Sequence, residues 1–134
     1  MSYEFVRYNN KTYAEIIRKE QKVTQTTFFS DTDSSFQFGL MSHKYGYKEE
    51  PHTHHSISRE IKNMQQMFVV RTGIIAVVFF DDNGKKFQEV ILQSGDSICL
   101  VDGAHAIRVI EDSECITVKQ GPFLGPDNDK INIK

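Results

Sequence analysis

Three of the five histidines fall in one short stretch, Pro51-His52-Thr53-His54-His55. On an extended strand side chains alternate, so His52 and His54 project from one face, a pleat repeat apart. Two imidazoles in that relation can chelate a single metal ion through their ring nitrogens. The competing reading is a surface strand or turn carrying solvated histidines, and the triplet alone does not separate the two. His55 follows at once and is expected to face away, toward solvent or a neighbouring group. His105 stands alone just after the Asp102-Gly103 turn, where it is either a ligand or a turn cap. Gln66 offers an amide oxygen, to a metal or to the backbone. Arg59 and Lys119 can bind a carboxylate or phosphate, or can simply be solvated. Tyr45 and Tyr47 flank Gly46 on the approach to the histidine pair, where Tyr47 is a candidate pocket residue. His43, beside Lys44, reads as exposed.

The elements that must position these groups are strands. Phe36, Phe38 and Leu40 alternate with Gln37, Gly39 and Met41, the period of a half-buried strand. Met67–Val70 and Ile74–Phe80 are short runs rich in Val, Ile and Phe, parted by Arg71-Thr72-Gly73, and such runs read as strands. Asp81-Asp82-Asn83-Gly84 follows, and its Asn-Gly predicts a type I′ hairpin. Phe87, Val90 and Leu92 return. Ser94-Gly95-Asp96 turns into Ile98–Val101, Asp102-Gly103 into Ala106–Ile110, and Glu111-Asp112-Ser113 into Cys115–Val118. Strands recurring about every ten residues with turn chemistry between them indicate a sandwich or barrel. Thr12–Arg18 fits a strand slightly better than a helix. Pro126–Lys134 reads as an extended or loosely held tail. Asp31–Ser35 is rich in acidic and hydroxyl side chains but lacks the glycine and terminal glutamate of a calcium loop.

Composition narrows the function. With 134 residues, 39% of them hydrophobic and 25% charged, the chain is expected to make one globular domain. A net charge of −2 provides no basic field for a phosphate backbone, which argues against nucleic acid. The longest apolar run, Ile74–Phe80, is far shorter than the roughly 20 residues of a spanning helix. The first residues, MSYEFVRYNNKTY, lack the apolar stretch of a secretory signal, so a cytoplasmic protein without membrane contact is expected. Cys99 and Cys115 lie within apolar stretches and read as reduced, packed side chains.

Gly46 precedes His52 by five intervening residues, Gln66 precedes Gly73 by six, and Gly95-Asp96 precedes the lone His105. This arrangement resembles the two motifs of the cupin superfamily over Gly46–Val118. Arg59-Glu60-Ile61 after the histidines, Val118-Lys119-Gln120-Gly121-Pro122-Phe123 at the end, and Phe28-Phe29 with a later Gly39 are similar to a subgroup of small bacterial cupins. Five departures stand out. Gln66 replaces the usual carboxylate, and the gap from His54 to Gln66 is long. Val101 replaces a proline, and His105 comes one residue early with no closing asparagine.

The resemblance implies an all-β, single-domain jelly-roll β-barrel with a short extra N-terminal segment. Its core would span about 36–123, with the N-terminal segment and C-terminal tail packed outside. It implies a metal site of His52, His54, Gln66 and His105 inside the barrel. Ser56–Met64 would loop over that site, and Glu60 within it is the alternative to Gln66, although on the wrong side of the insertion for the usual strand geometry. Such a donor set favours Fe, Ni or Zn over Mg. It also implies a small polar or sugar-like ligand held by Arg59, Tyr47 and Lys119, and a homodimer paired through an N-terminal strand. If catalytic, the protein would be a metal-dependent isomerase, epimerase or dioxygenase. The alternative is a non-catalytic binding or structural cupin that has lost its carboxylate ligand.

Overall fold

The structure is a computed structural model that describes residues 3–133. The chain divides into two compact units, one running to Gln21 and resuming at Met64, the other Lys22–Asn63. The first unit is almost wholly antiparallel β. It holds β1 (Tyr3–Tyr8), β2 (Lys11–Ile17), β5 (Gln66–Phe80), β6 (Lys86–Gln93), β7 (Ser97–Leu100) and β8 (Ala104–Lys119). The strands run in the order β1-β2-β7-β5-β6, with β8 on the other edge of β5. Among the described residues no helix is long and apolar enough to cross a membrane.

This sheet curls into a half-barrel, and β5 is where it bends. Thirteen residues of straight strand would hold Gln66 and Phe79 about 43 Å apart. Instead Gln66 pairs with Leu100, and the adjoining Val101 N–H donates to the Tyr13 carbonyl at 2.8 Å. The Tyr13 ring in turn meets Phe79 edge-on at 6.2 Å. Three register shifts between Val70 and Ile75 absorb the bend. At its centre Gly73 has φ 84°, and a Cβ there would collide with the Asp112 carbonyl and lie 2.7 Å from Ser113 Cα. Arg71-Thr72-Gly73 and Glu111-Asp112-Ser113, expected to be turns between strands, are therefore paired kinks within β5 and β8.

The N-terminal strands belong to the sheet rather than lying outside it. An Asn9-Asn10 turn, both residues at positive φ, joins β1 to β2, the geometry a type I′ hairpin requires. Tyr13 is an extra residue on β2, since Val6 faces Ala14 while Arg7 faces Thr12. That bulge turns Tyr13 and Ala14 into the core together. They pack with Val6, Ile16, Phe68, Val70, Ile75, Val77, Phe79, Leu92, Ile98 and Leu100. The Asp81–Gly84 hairpin is not type I′, because only Gly84 has positive φ there. Its Asp81 carboxylate accepts from the Asn83 and Lys85 amides, and a register shift follows at Phe80.

Asp96 is the buried pin of the sheet. Its oxygens accept from the backbone of Lys19 and Gln93, both at 2.9 Å, and from Arg18 at 3.2 Å. Arg18 also reaches Glu4 at 2.7 Å. The Gly95-Asp96 pair therefore holds strands together rather than serving a ligand. Both cysteines are free, Cys99 buried and Cys115 half-buried.

The second unit carries little regular structure. Of the strand expected over Phe36–Met41, only β4 (Gly39–Leu40) forms, paired to β3 (Thr27–Phe28). Phe38 is buried next to it, its N–H bonded to Ser30 Oγ at 2.8 Å. Asp31–Ser35 is a loop. In the C-terminal tail, Pro126–Asp129 forms one helical turn, α1, where extended chain is expected.

Candidate metal and ligand site

His52 and His54 lie in chain without strand or helix rather than on the strand the sequence suggests. Their rings still stand together, centroids 5.2 Å apart and nearly perpendicular. His52 Nδ1 is 3.0 Å from Glu49 Oε1 and 2.9 Å from the Glu50 carbonyl. Both partners only accept, so Nδ1 is the donor, and in the neutral imidazole Nε2 keeps the lone pair that a metal needs. Glu49, which the sequence did not single out, thus orients the first imidazole of the pair. His43 stacks flat on Tyr47 at 4.1 Å, which occupies one face of that expected ligand-binding ring. Gly46 sits in a turn at φ 92°. His55, Arg59 and Glu60 are exposed, and Ser56–Met64 contains no strand or helix.

In the other unit the sheet fixes Gln66 and His105 rigidly. Gln66 shares the face of Phe68 and Val70, and faces Leu100 on one side and Lys119 on the other. Its Nε2 donates to Thr117 Oγ1 at 3.0 Å across the diagonal of the β5–β8 ladder. The amide oxygen is the group left to offer. Thr117 escaped the sequence reading, although it alternates with Cys115 and Lys119 on that face.

His105 lies directly opposite buried Phe79, on the same face of the sheet, followed by Ile107 opposite Val77 and Val109 opposite Ile75. Along the chain it follows closely on Leu100, the partner of Gln66. Gln66 and His105 thus sit at opposite ends of the β5–β8 ladder, each on the face that carries the buried side chains of β5. His105 is exposed on one side, yet partial burial of its ring and the charge of Lys130 push its pKa below the ordinary imidazole value. Lys119 lies over the Phe123 ring at 5.6 Å.

Among the described residues, no three His, Cys, Asp or Glu side chains are placed to hold one metal ion. A cavity of about 300 Å³ opens elsewhere, at the β1–β2 and β5–β6 turns, lined by Tyr8, Lys11, Tyr13 and residues 81–83. None of the expected site residues lines it. Compared with family models, with curated proteins and with solved structures, the chain gives no match.

Proposed function

We propose that the chain is a metal-binding protein of the cupin type that takes a divalent transition ion on its histidines and a small polar, sugar-like molecule beside it. The observation that supports this reading is the His52–His54 ring pair, with the His52 proton committed to Nδ1. Neutral imidazoles match Fe(II), Ni(II) or Zn(II) better than a hard ion such as Mg(II). His105 and the Gln66 oxygen are the further donors that the cupin resemblance calls for. A bound ion with no carboxylate partner would keep its full charge and supply Lewis-acid polarisation of a ligand oxygen. Arg59, Tyr47 and Lys119 are the groups to which the cupin resemblance assigns the orienting of that ligand. The amide at Gln66, spent in part on Thr117, favours a second reading in which the protein binds ligand without turning it over.

Elemental analysis of freshly purified protein tests the proposal. A stoichiometric transition metal is expected, reduced to background in His52→Ala/His54→Ala and lowered in His105→Ala. Metal-free protein that also fails to bind added Zn(II) or Ni(II) would overturn it. Metal bound equally well by the double variant would overturn the assignment of the pair.

A further inference from the structure

β8 is a sixteen-residue strand, and among the described residues its only strand partner is β5. Its outer edge thus presents a long row of backbone donors and acceptors. Proteins normally blunt such an edge with short length, proline or lysine; this one is long, and its 114–119 stretch is regular. That stretch, Glu114-Cys115-Ile116-Thr117-Val118-Lys119, leaves Ile116 50% and Val118 47% exposed. Met67 and Val69 of β5 lie opposite Val118 and Ile116 and extend the apolar patch on the convex face.

The geometry points to a second copy of this chain as the occupant of that edge, paired antiparallel about a two-fold axis at Thr117. A two-fold perpendicular to the sheet keeps convex side chains on one face, so only even registers satisfy it. The Thr117 register sets Ile116 against the partner copy's Val118 twice, and Thr117 against its own counterpart. β-branched pairs and Thr–Thr pairs are favourable cross-strand neighbours. Glu114 then faces the neutral Gln120, and Lys119 faces Cys115, so no like charges are opposed. The same pairing joins the two Met67/Val69/Ile116/Val118 patches across the axis. This interface is distinct from one built on an N-terminal strand, and it does not depend on metal.

Light scattering coupled to size exclusion reads the outcome at micromolar concentration. Wild type is expected at twice the 15.4 kDa of one chain. Ile116→Glu and Val118→Lys are each expected to run as monomers with unchanged circular dichroism, since both positions are half-exposed. Mixing the two variants is expected to restore the dimer, because the carboxylate introduced in one copy then meets the ammonium introduced in the other. A monomeric wild type would overturn the proposal. So would dimers that survive both substitutions, or folded monomeric variants that fail to recombine.

Discussion

The β5–β8 pair and the His52–His54 segment both carry groups able to bind a ligand, but they are held by different means. Gln66, Thr117 and His105 sit on a ladder whose register fixes every side chain, over a core of Phe68, Val77 and Phe79. His52 and His54 sit on exposed chain, where His52 is tied locally to Glu49 and Glu50. The lesson is a difference in support: the sheet supplies fixed positions, while the histidine pair is held by local contacts and, on the proposed reading, would gain order from a bound ion. A metal that orders exposed chain contributes part of its binding free energy to that ordering, so affinity is reduced and becomes adjustable.

The largest effect that sharpens this contrast lies at the bend. Gly73→Ala places a Cβ against the Asp112 carbonyl at φ 84°. It is expected to destabilise the fold by about 4 kcal/mol or more, because left-handed strain and a backbone clash add. Denaturant unfolding checks it, and a loss under about 1 kcal/mol would show that the curl is not anchored at this kink. Next comes Asp96→Ala, which orphans the Lys19 and Gln93 amides and releases Arg18. About 3 kcal/mol is expected, read from the same midpoint shift.

A third effect reads the sheet by its thiols. Burial, with the nearby Glu15 charge, pushes the Cys99 pKa up to about 12. The neutral thiol is favoured in the folded state, so its contribution to stability is complete below the unfolded thiol pKa. It falls away as pH rises from there toward 12. Cys99 is expected to resist iodoacetamide at pH 9 in native protein and to react once unfolded, as mass spectrometry of the labelled peptide shows. Rapid native labelling would contradict the packing assigned to β7. The smallest effect belongs to the other region. Without metal, His54→Ala is expected to change stability by less than about 0.5 kcal/mol, as for exposed positions away from the core. With Zn(II) added, the variant should lose the thermal stabilisation that wild type gains.

Much of the sheet was legible in the sequence, because burial on one face writes period-two alternation into the chain. Val90 and Leu92, with exposed Ile91 between them, follow that rule, whereas Ile98–Leu100 is buried throughout and was marked by its apolar run. Continuity was not legible. Arg71-Thr72-Gly73 has turn composition, yet cross-strand pairing with Glu111–Glu114 turns both segments into kinks, and only tertiary contact reveals that. The Phe36–Met41 alternation gave too long a strand, since only Gly39 and Leu40 pair in register with a neighbouring strand. The left-handed Asn9-Asn10 turn passed unnoticed because neither residue is a glycine, while Asn-Gly at 83–84 suggested the wrong turn type. Of the site, the histidine spacing was visible; the two rings do stand together, but on irregular chain and not on the strand from which that spacing argues. Thr117 and Glu49 were not, because a hydrogen-bond partner is chosen by register and local chain path rather than by residue type.

X-ray absorption of Zn(II)-loaded protein is the most direct measure of whether these imidazoles serve one ion. The account predicts a first shell of nitrogen and oxygen with multiple-scattering features of imidazole, diminished in His52→Ala/His54→Ala. A shell dominated by sulfur, or one without imidazole scattering, would contradict it.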